Sequence, residues 1–337
     1  MPPWKQRLQQ LIALASRYPR LLALFGFASG IASFLLVKRK ESLAGVLAVV
    51  MLAGWVWLLL ENLVTRGISQ RFGLTLPRSL LRYATQMIHQ ESLFFVLPFF
   101  LTTTTWNSGQ ALFTGLLCLA ALVSIIDPLY YKWLGGQRWA LMAFHSLALF
   151  AVLLTTLPLI YHLATPQSYE LALAISTLLA FPSLLGAQRG QGWRRKLALL
   201  ALVAALGGAG WLARTWVPPA TLWLNQVAVS LELDDRHRAP GRGLKRVSLA
   251  ELRSHGLYAY TEINVPRGLK ERIWHVWRQN GQERDRIPLD ISGGRKEGYR
   301  AWSHKRNFPG DPLGNWEVRV QTEAGQLIGV LRFKVVD

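Results

Sequence analysis

The feature that most constrains this chain is a series of long apolar runs, all within its first 217 residues. A helix needs about 20 apolar residues to cross a hydrocarbon core of roughly 30 Å. The runs predict seven membrane-spanning helices, over residues 21–37, 43–64, 93–106, 110–126, 139–163, 169–186 and 197–217. A wholly soluble protein is thereby excluded, and the predicted fold of this half is a polytopic α-helical membrane domain.

The charge composition changes after residue 217. Residues 1–217 carry five acidic and 18 basic side chains, whereas residues 218–337 carry 14 and 20. We therefore predict two domains, a transmembrane helical domain over 1–217 and a separately built domain over 218–337. The chain has a single cysteine, Cys118, which excludes an intrachain disulfide and a zinc site made of several thiolates.

The positions of the cations predict the orientation of the seven helices. Short cytoplasmic loops collect Lys and Arg. With seven crossings, fourteen loop cations fall on one side and only Lys38, Arg39 and Lys40 fall on the other. The N-terminus is therefore predicted in the cytoplasm and the C-terminal domain outside, which means the periplasm of a Gram-negative cell.

Several ionisable side chains lie in or beside the predicted spans, where they are costly and often functional. The topology predicts that four of them lie at the cytoplasmic leaflet, Glu61, Glu91, Asp127 and His145, and His89, a neighbour of Glu91, could join this cluster. Such a cluster suits metal binding, proton transfer or the binding of a cationic headgroup. The alternative is that the acids mark helix ends, solvated by headgroup water and neutralised by nearby cations. No catalytic role is assigned to these residues.

The sequence contains none of the common nucleotide-binding or hydrolase motifs. The patterns GxxxxGK[ST], GxGxxG and GxSxG are absent, and no single helix carries HxxE, HExxH or DxxD. No metal site and no cofactor are predicted.

The second half changes from long apolar runs to short alternating ones. Seven strands are predicted at residues 227–233, 257–265, 272–278, 286–291, 299–305, 316–322 and 327–336. Asn280-Gly281 predicts a hairpin turn, and Ser248 with Glu251 predicts a capping box that starts a short helix. This pattern indicates an all-β, immunoglobulin-like sandwich.

In the last hairpin Trp316, Val318 and Val320 share a face and are predicted to be core.

The predicted strand over residues 272–278 is apolar on both faces. Around residue 275 both faces carry apolar or aromatic side chains, so one of them is a candidate binding surface. The predicted ligand-binding residues are His275, Trp277, Arg300, Trp302 and Lys305. The alternative is that the aromatic side chains are core and the cations lie on solvated strand faces.

Two segments carry a resemblance to known families. The run from His89 to Phe100, with Asp127-Pro128-Leu129-Tyr130 after it, resembles domain-of-unknown-function family 5924. The C-terminal half is similar to family 2914, through His275-Val276-Trp277, the run from Gly298 to Ser303 and the run from Gly314 to Val318. The resemblance implies a proteobacterial inner-membrane protein with this two-part order, and it brings no established activity.

These features favour an inner-membrane protein that anchors a periplasmic domain for recognition or assembly. Its expected partners are the lipid bilayer and an envelope glycan, lipid or protein, and nucleic acid is not expected. The alternative is a membrane-embedded enzyme or transporter that acts on a lipid-linked or small polar substrate through the Glu, Asp and His cluster. The sequence leaves enzymatic activity open, with the balance against it.

Overall fold

The computed structural model describes residues 28, 32, 41–72, 77–187, 193–234, 236–295 and 297–337. Its first part is helical: α1 (Glu41–Phe72), α2 (Arg78–Thr103), α3 (Gln110–Ile125), a π-helix (Pro128–Leu134), α4 (Arg138–Tyr161), α5 (Thr165–Ala187), α6 (Trp193–Leu212) and a short 3-10 helix (Ala213–Trp216). Six of the seven predicted spans fall on these helices. The first, residues 21–37, lies outside the described residues apart from positions 28 and 32.

Three described segments are long and apolar enough to cross a membrane: Ala44–Glu61, Arg138–Tyr161 and Leu197–Trp216. The pair of α3 and the π-helix, bent by 101°, adds a fourth if the two form one span. On α3 an apolar stripe of Leu112, Leu116, Leu119 and Leu122 is 48–66% exposed, as expected of a surface that faces hydrocarbon. A helical, membrane-associated first part is thus confirmed in its coarse form, and the number seven stays a prediction.

The C-terminal part is an all-β domain, as predicted. Its ten strands are β1 (Trp223–Ser230), β2 (Leu233–Asp234), β3 (Ala239–Pro240), β4 (Arg246–Ser248), β5 (Leu257–Asn264), β6 (Lys270–Gln279), β7 (Gln282–Ser292), β8 (Tyr299–Lys305), β9 (Gly314–Thr322) and β10 (Leu327–Val336). A three-stranded sheet has the order β1-β5-β8, and a five-stranded sheet has the order β4-β10-β9-β6-β7. Only β4 and β10 pair in parallel; the other described pairs are antiparallel.

One hydrophobic core joins the two sheets. The three-stranded sheet contributes Ala259 and Ile263, and the five-stranded sheet contributes Ile273, Val318 and Phe333. Trp316, Val318 and Val320 are at most 2% exposed, so the predicted core face of β9 is confirmed. Because successive strand side chains alternate between faces, each sheet also keeps an outward face.

Local sequence signals explain two of the connections. At the β6–β7 hairpin Asn280 and Gly281 both have positive φ, at 48° and 84°, which is the backbone that an Asn-Gly hairpin turn needs. Ser248 caps the helix α7 (Leu249–His255), and its side chain and that of Glu251 form the predicted capping box.

The chain divides into two compact units. The helix unit comprises the described parts of residues 1–98, 116–156 and 175–199, and the β unit comprises residues 99–115, 157–174 and 200–337. The β unit therefore includes the ends of several helices as well as both sheets.

Within the β unit, the sheets are hydrogen-bonded to the helix ends at one edge of the domain. Three such bonds run from Gln110 Nε2 to the Leu327 carbonyl (2.8 Å), from Gln326 Nε2 to the Val217 carbonyl (2.9 Å) and from Arg214 Nε to the Ala324 carbonyl (3.1 Å). On the β-sheet side these groups lie at the β9–β10 turn and the start of β10, and their partners lie at the start of α3 and in the segment before β1. They define the proximal end of the domain, which is the end bonded to the helices.

A buried carboxylate completes the proximal end. Glu271, at the start of β6, is 4% exposed. Its Oε2 accepts hydrogen bonds from the backbone N–H (2.7 Å) and the hydroxyl (2.9 Å) of Thr165, the first residue of α5. Burial raises the pKa of Glu271 to about 7, against the lowering effect of the Thr165 bonds.

The raised pKa of Glu271 predicts a pH dependence of stability. The unfolded chain ionises this carboxyl more easily than the folded protein does, so stability is lost as the pH rises from about 4.5 to about 7. A pKa shift of this size corresponds to a change of roughly 3 kcal/mol in the free energy of unfolding. Glu271→Gln keeps an oxygen acceptor for Thr165 without the charge. We expect it to match the wild type at pH 5 and to be more stable at pH 8.

The measurement is thermal unfolding of the full-length protein in detergent micelles between pH 5 and pH 8. Glu170→Gln, which changes an exposed carboxyl on α5, is the matched control and should keep the wild-type pH dependence. If Glu271→Gln and the wild type showed the same pH dependence of stability, that dependence could not be assigned to the Glu271 carboxyl.

Candidate functional sites

A chain of hydrogen-bonded polar side chains runs through the helix unit. His89 on α2 is joined through Nδ1 to the Tyr130 hydroxyl (2.8 Å) and through Nε2 to Nδ1 of His145 on α4 (2.9 Å). His89 is fully buried, and Tyr130 is 5% exposed. Three elements, α2, the π-helix and α4, thus converge on one imidazole.

Trp55 on α1 packs against the same two imidazoles. The centroid of its ring lies 4.7 Å from that of His145 and 5.6 Å from that of His89. Its indole N–H donates to the Ser92 hydroxyl (2.9 Å). Buried polar groups of this kind stabilise helix packing when they are hydrogen-bonded.

The π-helix determines where Tyr130 lies. Asp127 precedes it, and Pro128 occupies its first turn. The wider π turn places Tyr130 inside, against His89, while Asp127 stays exposed. Short π segments occur frequently at functional sites. Tyr130 was not among the predicted site residues, because a helical period of 3.6 residues does not describe a π-helix.

The five residues of the predicted polar cluster have different surroundings. His89 and His145 are in direct contact. Asp127 accepts a hydrogen bond from Gln86 Nε2 (2.8 Å). Glu91 is buried on α2, and Glu61 is half-buried on α1.

The chemistry that this series of hydrogen-bonded side chains allows follows from its three titratable members. An imidazole can accept a proton at one nitrogen while it releases one from the other, so Tyr130, His89 and His145 are arranged for proton transfer. Among the described residues, no group of three or more His, Cys, Asp or Glu side chains could hold a metal ion.

Two of the predicted ligand-binding residues lie in the β-domain core. His275 and Trp277 are both fully buried. The Ser303 hydroxyl bonds to His275 Nδ1 (2.9 Å) and accepts from Trp277 Nε1 (3.2 Å), and Thr261 bonds to the other imidazole nitrogen (3.2 Å). Burial lowers the pKa of His275 to about 3, so its imidazole is neutral at physiological pH.

The prediction that His275 and Trp277 belong to an exposed surface is therefore corrected. Strand β6 lies between β7 and β9, and its odd-numbered positions face the three-stranded sheet. On its other face Val276 is also buried, at 2% exposure. The rest of that face is more accessible, since Trp274 is half-buried and Arg272 is exposed. Because the central residues of β6 are apolar or aromatic on both faces, alternation could not identify which face is the core.

The three remaining predicted residues do not form a free cationic surface. Lys305 is 5% exposed, and its Nζ lies 2.7 Å from the Asp285 carboxylate. Arg300 pairs with Glu262 and Glu297, each at 3.2 Å. Trp302 is half-buried on β8. Ion pairing thus neutralises Arg300 and Lys305.

A groove that the sequence did not predict lies at the opposite end of the β domain from the helix ends. It has a volume of about 510 Å³. The residues that give it its chemistry are Tyr258, His304, Arg253, Arg306, His255 and Glu232. They come from β5, β8, α7 and the segment after β1. No local motif could have revealed it, because its members meet only through strand pairing.

A second groove lies at the same end. Its volume is about 830 Å³, and its lining includes Lys245, Arg332, Lys334, Asn280 and Asn315. The strand length separates both grooves from the proximal end. From Leu327 to Lys334, for example, β10 extends roughly 23 Å. We call this the distal end of the β domain.

Comparison with known families gives two matches. The model of a family of unknown function, DUF5924, matches residues 1–259, and that of a protein of unknown function, DUF2914, matches residues 270–335. The first match covers more than half of the chain, so the chain belongs to the DUF5924 family, and both resemblances found in the sequence are confirmed. No curated protein and no solved structure matches the chain.

The two family matches meet inside the β domain. The first ends within β5, and the second begins with β6. Yet the three-stranded sheet combines β1 and β5 with β8. The two matched regions therefore share one folded core.

The buried hydrogen bond between Tyr130 and His89 predicts the effect of removing the Tyr130 hydroxyl. Tyr130→Phe leaves His89 Nδ1 without its partner, and an unpaired buried polar atom costs about 1–3 kcal/mol. We expect the free energy of unfolding of the full-length protein in micelles to fall by about that amount. Tyr161→Phe, at a position that is 62% exposed, is the control and should unfold as the wild type does. Equal stability of the two variants would contradict a stabilising hydrogen bond between Tyr130 and His89.

Proposed function

We propose that this member of the DUF5924 family is a multi-pass inner-membrane protein of Gram-negative bacteria whose periplasmic β domain recognises an acidic envelope glycan. One observation carries the proposal. The β domain is bonded to helix ends at its proximal end, and its distal end carries two cation-lined grooves. A domain anchored in this way presents its grooves at the end opposite to its bonded helix ends.

The distribution of cations supports the proposed topology. Seven spans place fourteen loop cations on the cytoplasmic side. The N-terminus is then cytoplasmic, the β domain is periplasmic, and the lipid bilayer surrounds the helices. The distal grooves lie a full strand length from the helix ends, so an envelope polymer fits them better than a lipid headgroup.

The strand order supports an immunoglobulin-like fold for the β domain. Strands β1, β5 and β8 correspond to A, B and E, whereas β6, β7, β9 and β10 correspond to C, C′, F and G. In such domains a tryptophan of strand C is buried in the core. Trp277 on β6 occupies the equivalent place.

The polarity of the domain surface favours a glycan over an apolar protein partner. Among the described residues of the β domain, Val227 alone is an exposed large hydrophobic residue. The groove cations Arg253, Arg306, Arg332 and Lys334 have no ion-pair partner within the described part of the chain. A ligand rich in hydroxyl and acid groups complements such a surface.

The topology is tested by fusions of full-length protein in a Gram-negative host. Alkaline phosphatase or green fluorescent protein is attached after Asp337 and, separately, before Met1. We expect phosphatase activity without fluorescence at the C-terminus and the reverse at the N-terminus. Fluorescence at Asp337 would place the β domain in the cytoplasm and defeat the proposal.

Recognition is tested on spheroplasts that contain the full-length protein. The probe is fluorescent polygalacturonate, and its methyl ester is the uncharged control. We expect the acid form to bind spheroplasts with the protein more than spheroplasts without it, and the ester to show no such difference. Equal binding of acid and ester, or acid binding confined to inside-out vesicles, would contradict the proposed function.

A further inference from the structure

We propose that the groove between α7, the segment after β1 and the outward face of β5 and β8 binds a sugar unit that carries a carboxylate or phosphate. We call it the Tyr258 groove. This inference rests on the proposed function, since it assigns the acidic glycan to one of the two distal grooves. Its volume, about 510 Å³, lies in the range of small-molecule sites.

An aromatic pair lines the groove. Tyr258 and His304 are cross-strand partners on β5 and β8. Their rings are stacked, with centroids 3.9 Å apart and planes inclined by 8°. Both side chains are half-buried. Sugar rings present C–H groups on one face, and aromatic rings are the side chains against which such a face packs.

Two guanidinium groups supply the charge. Arg253 and Arg306 are exposed in the groove. Arg253 donates to the Gly310 carbonyl at 3.4 Å, and neither arginine has an acidic partner among the described ion pairs. A guanidinium binds a carboxylate or phosphate through two parallel hydrogen bonds. Glu232, which also lines the groove, can accept hydrogen bonds from sugar hydroxyls.

Backbone geometry preforms the groove. His304 Nε2 donates to the His255 carbonyl (3.0 Å), which fixes the His304 ring. Gly256, the residue after His255, has φ +70°, and a Cβ there would lie 2.7 Å from the Lys305 carbonyl oxygen. Only glycine lets the end of α7 approach β8 this closely. The His255 ring is held in turn by the Ser254 hydroxyl (2.7 Å).

The second distal groove lacks this combination. Its cations are Lys245, Arg332 and Lys334, and the two aromatic residues that border it, Trp316 and Phe333, are core side chains with 2% and 4% exposure. It offers positive charge without an aromatic platform. Arg332 and Lys334 are therefore suitable positions for a charge-matched control.

The experiment compares two double variants of the full-length protein in detergent micelles. Arg253→Gln with Arg306→Gln removes two cations from the Tyr258 groove, and Arg332→Gln with Lys334→Gln removes two from the other. Binding of trigalacturonate, of a phosphorylated trisaccharide and of neutral trigalactose is measured by calorimetry. Thermal unfolding verifies that both variants are folded.

We expect the first double variant to lose at least about tenfold in affinity for an acidic trisaccharide. The second double variant should bind it as the wild type does, and neutral trigalactose should bind weakly to all three proteins. Tyr258→Leu should also weaken binding of the acidic trisaccharide, since it removes the stacked ring. If trigalacturonate binds more tightly than the phosphorylated trisaccharide, the groove prefers a carboxylate, and the reverse order indicates a phosphate.

Two results would overturn the inference in distinguishable ways. A wild type that does not prefer acidic to neutral trisaccharide defeats the proposed function itself. A wild type with that preference, retained by the Tyr258-groove variant and lost by the Arg332 and Lys334 variant, defeats only the assignment to this groove.

Discussion

The contact between Glu271 and Thr165 determines how the rest of the β unit is arranged. A carboxylate buried to this extent is tolerated because the first N–H and the hydroxyl of α5 both donate to it. The contact fixes the start of β6 at a helix end, and strand pairing then orders the remaining strands from that edge. Since β5, β6 and β10 each extend over 8–10 residues, their opposite ends form a surface about a strand length from this edge. The positions of both distal grooves follow from this arrangement.

Local patterns were sufficient to predict much of the fold. The alternation of Trp316, Val318 and Val320 identified a core face, and Asn280-Gly281 identified a hairpin, because each depends only on neighbouring residues. The direction in which His275 and Trp277 face could not be predicted in this way. It depends on which strands flank β6, because the residues at the centre of this strand are apolar on both faces.

The candidate sites show the same distinction between local and long-range information. The predicted topology groups His89 with His145, and the two imidazoles are in contact. Tyr130 joins them only because the segment after Asp127 forms a π-helix. The Tyr258 groove depends on the pairing of Tyr258 with His304, 46 positions later in the chain. Sequence spacing alone does not determine such a register.

Ion pairing explains why the cation-rich segment around Arg300 is a poorer site than its composition indicates. The carboxylates of Glu262, Glu297 and Asp285 lie within 2.7–3.2 Å of Arg300 or Lys305. A ligand anion there would have to compete with partners already in place. At Arg253 and Arg306 it would meet no described competing ion pair, beside an aromatic pair whose position is already fixed. Residues 218–337 carry 20 basic and 14 acidic side chains, and this excess of positive charge attracts polyanions over a distance set by the ionic strength. Selection among polyanions then depends on the shape and hydrogen-bonding groups of the groove.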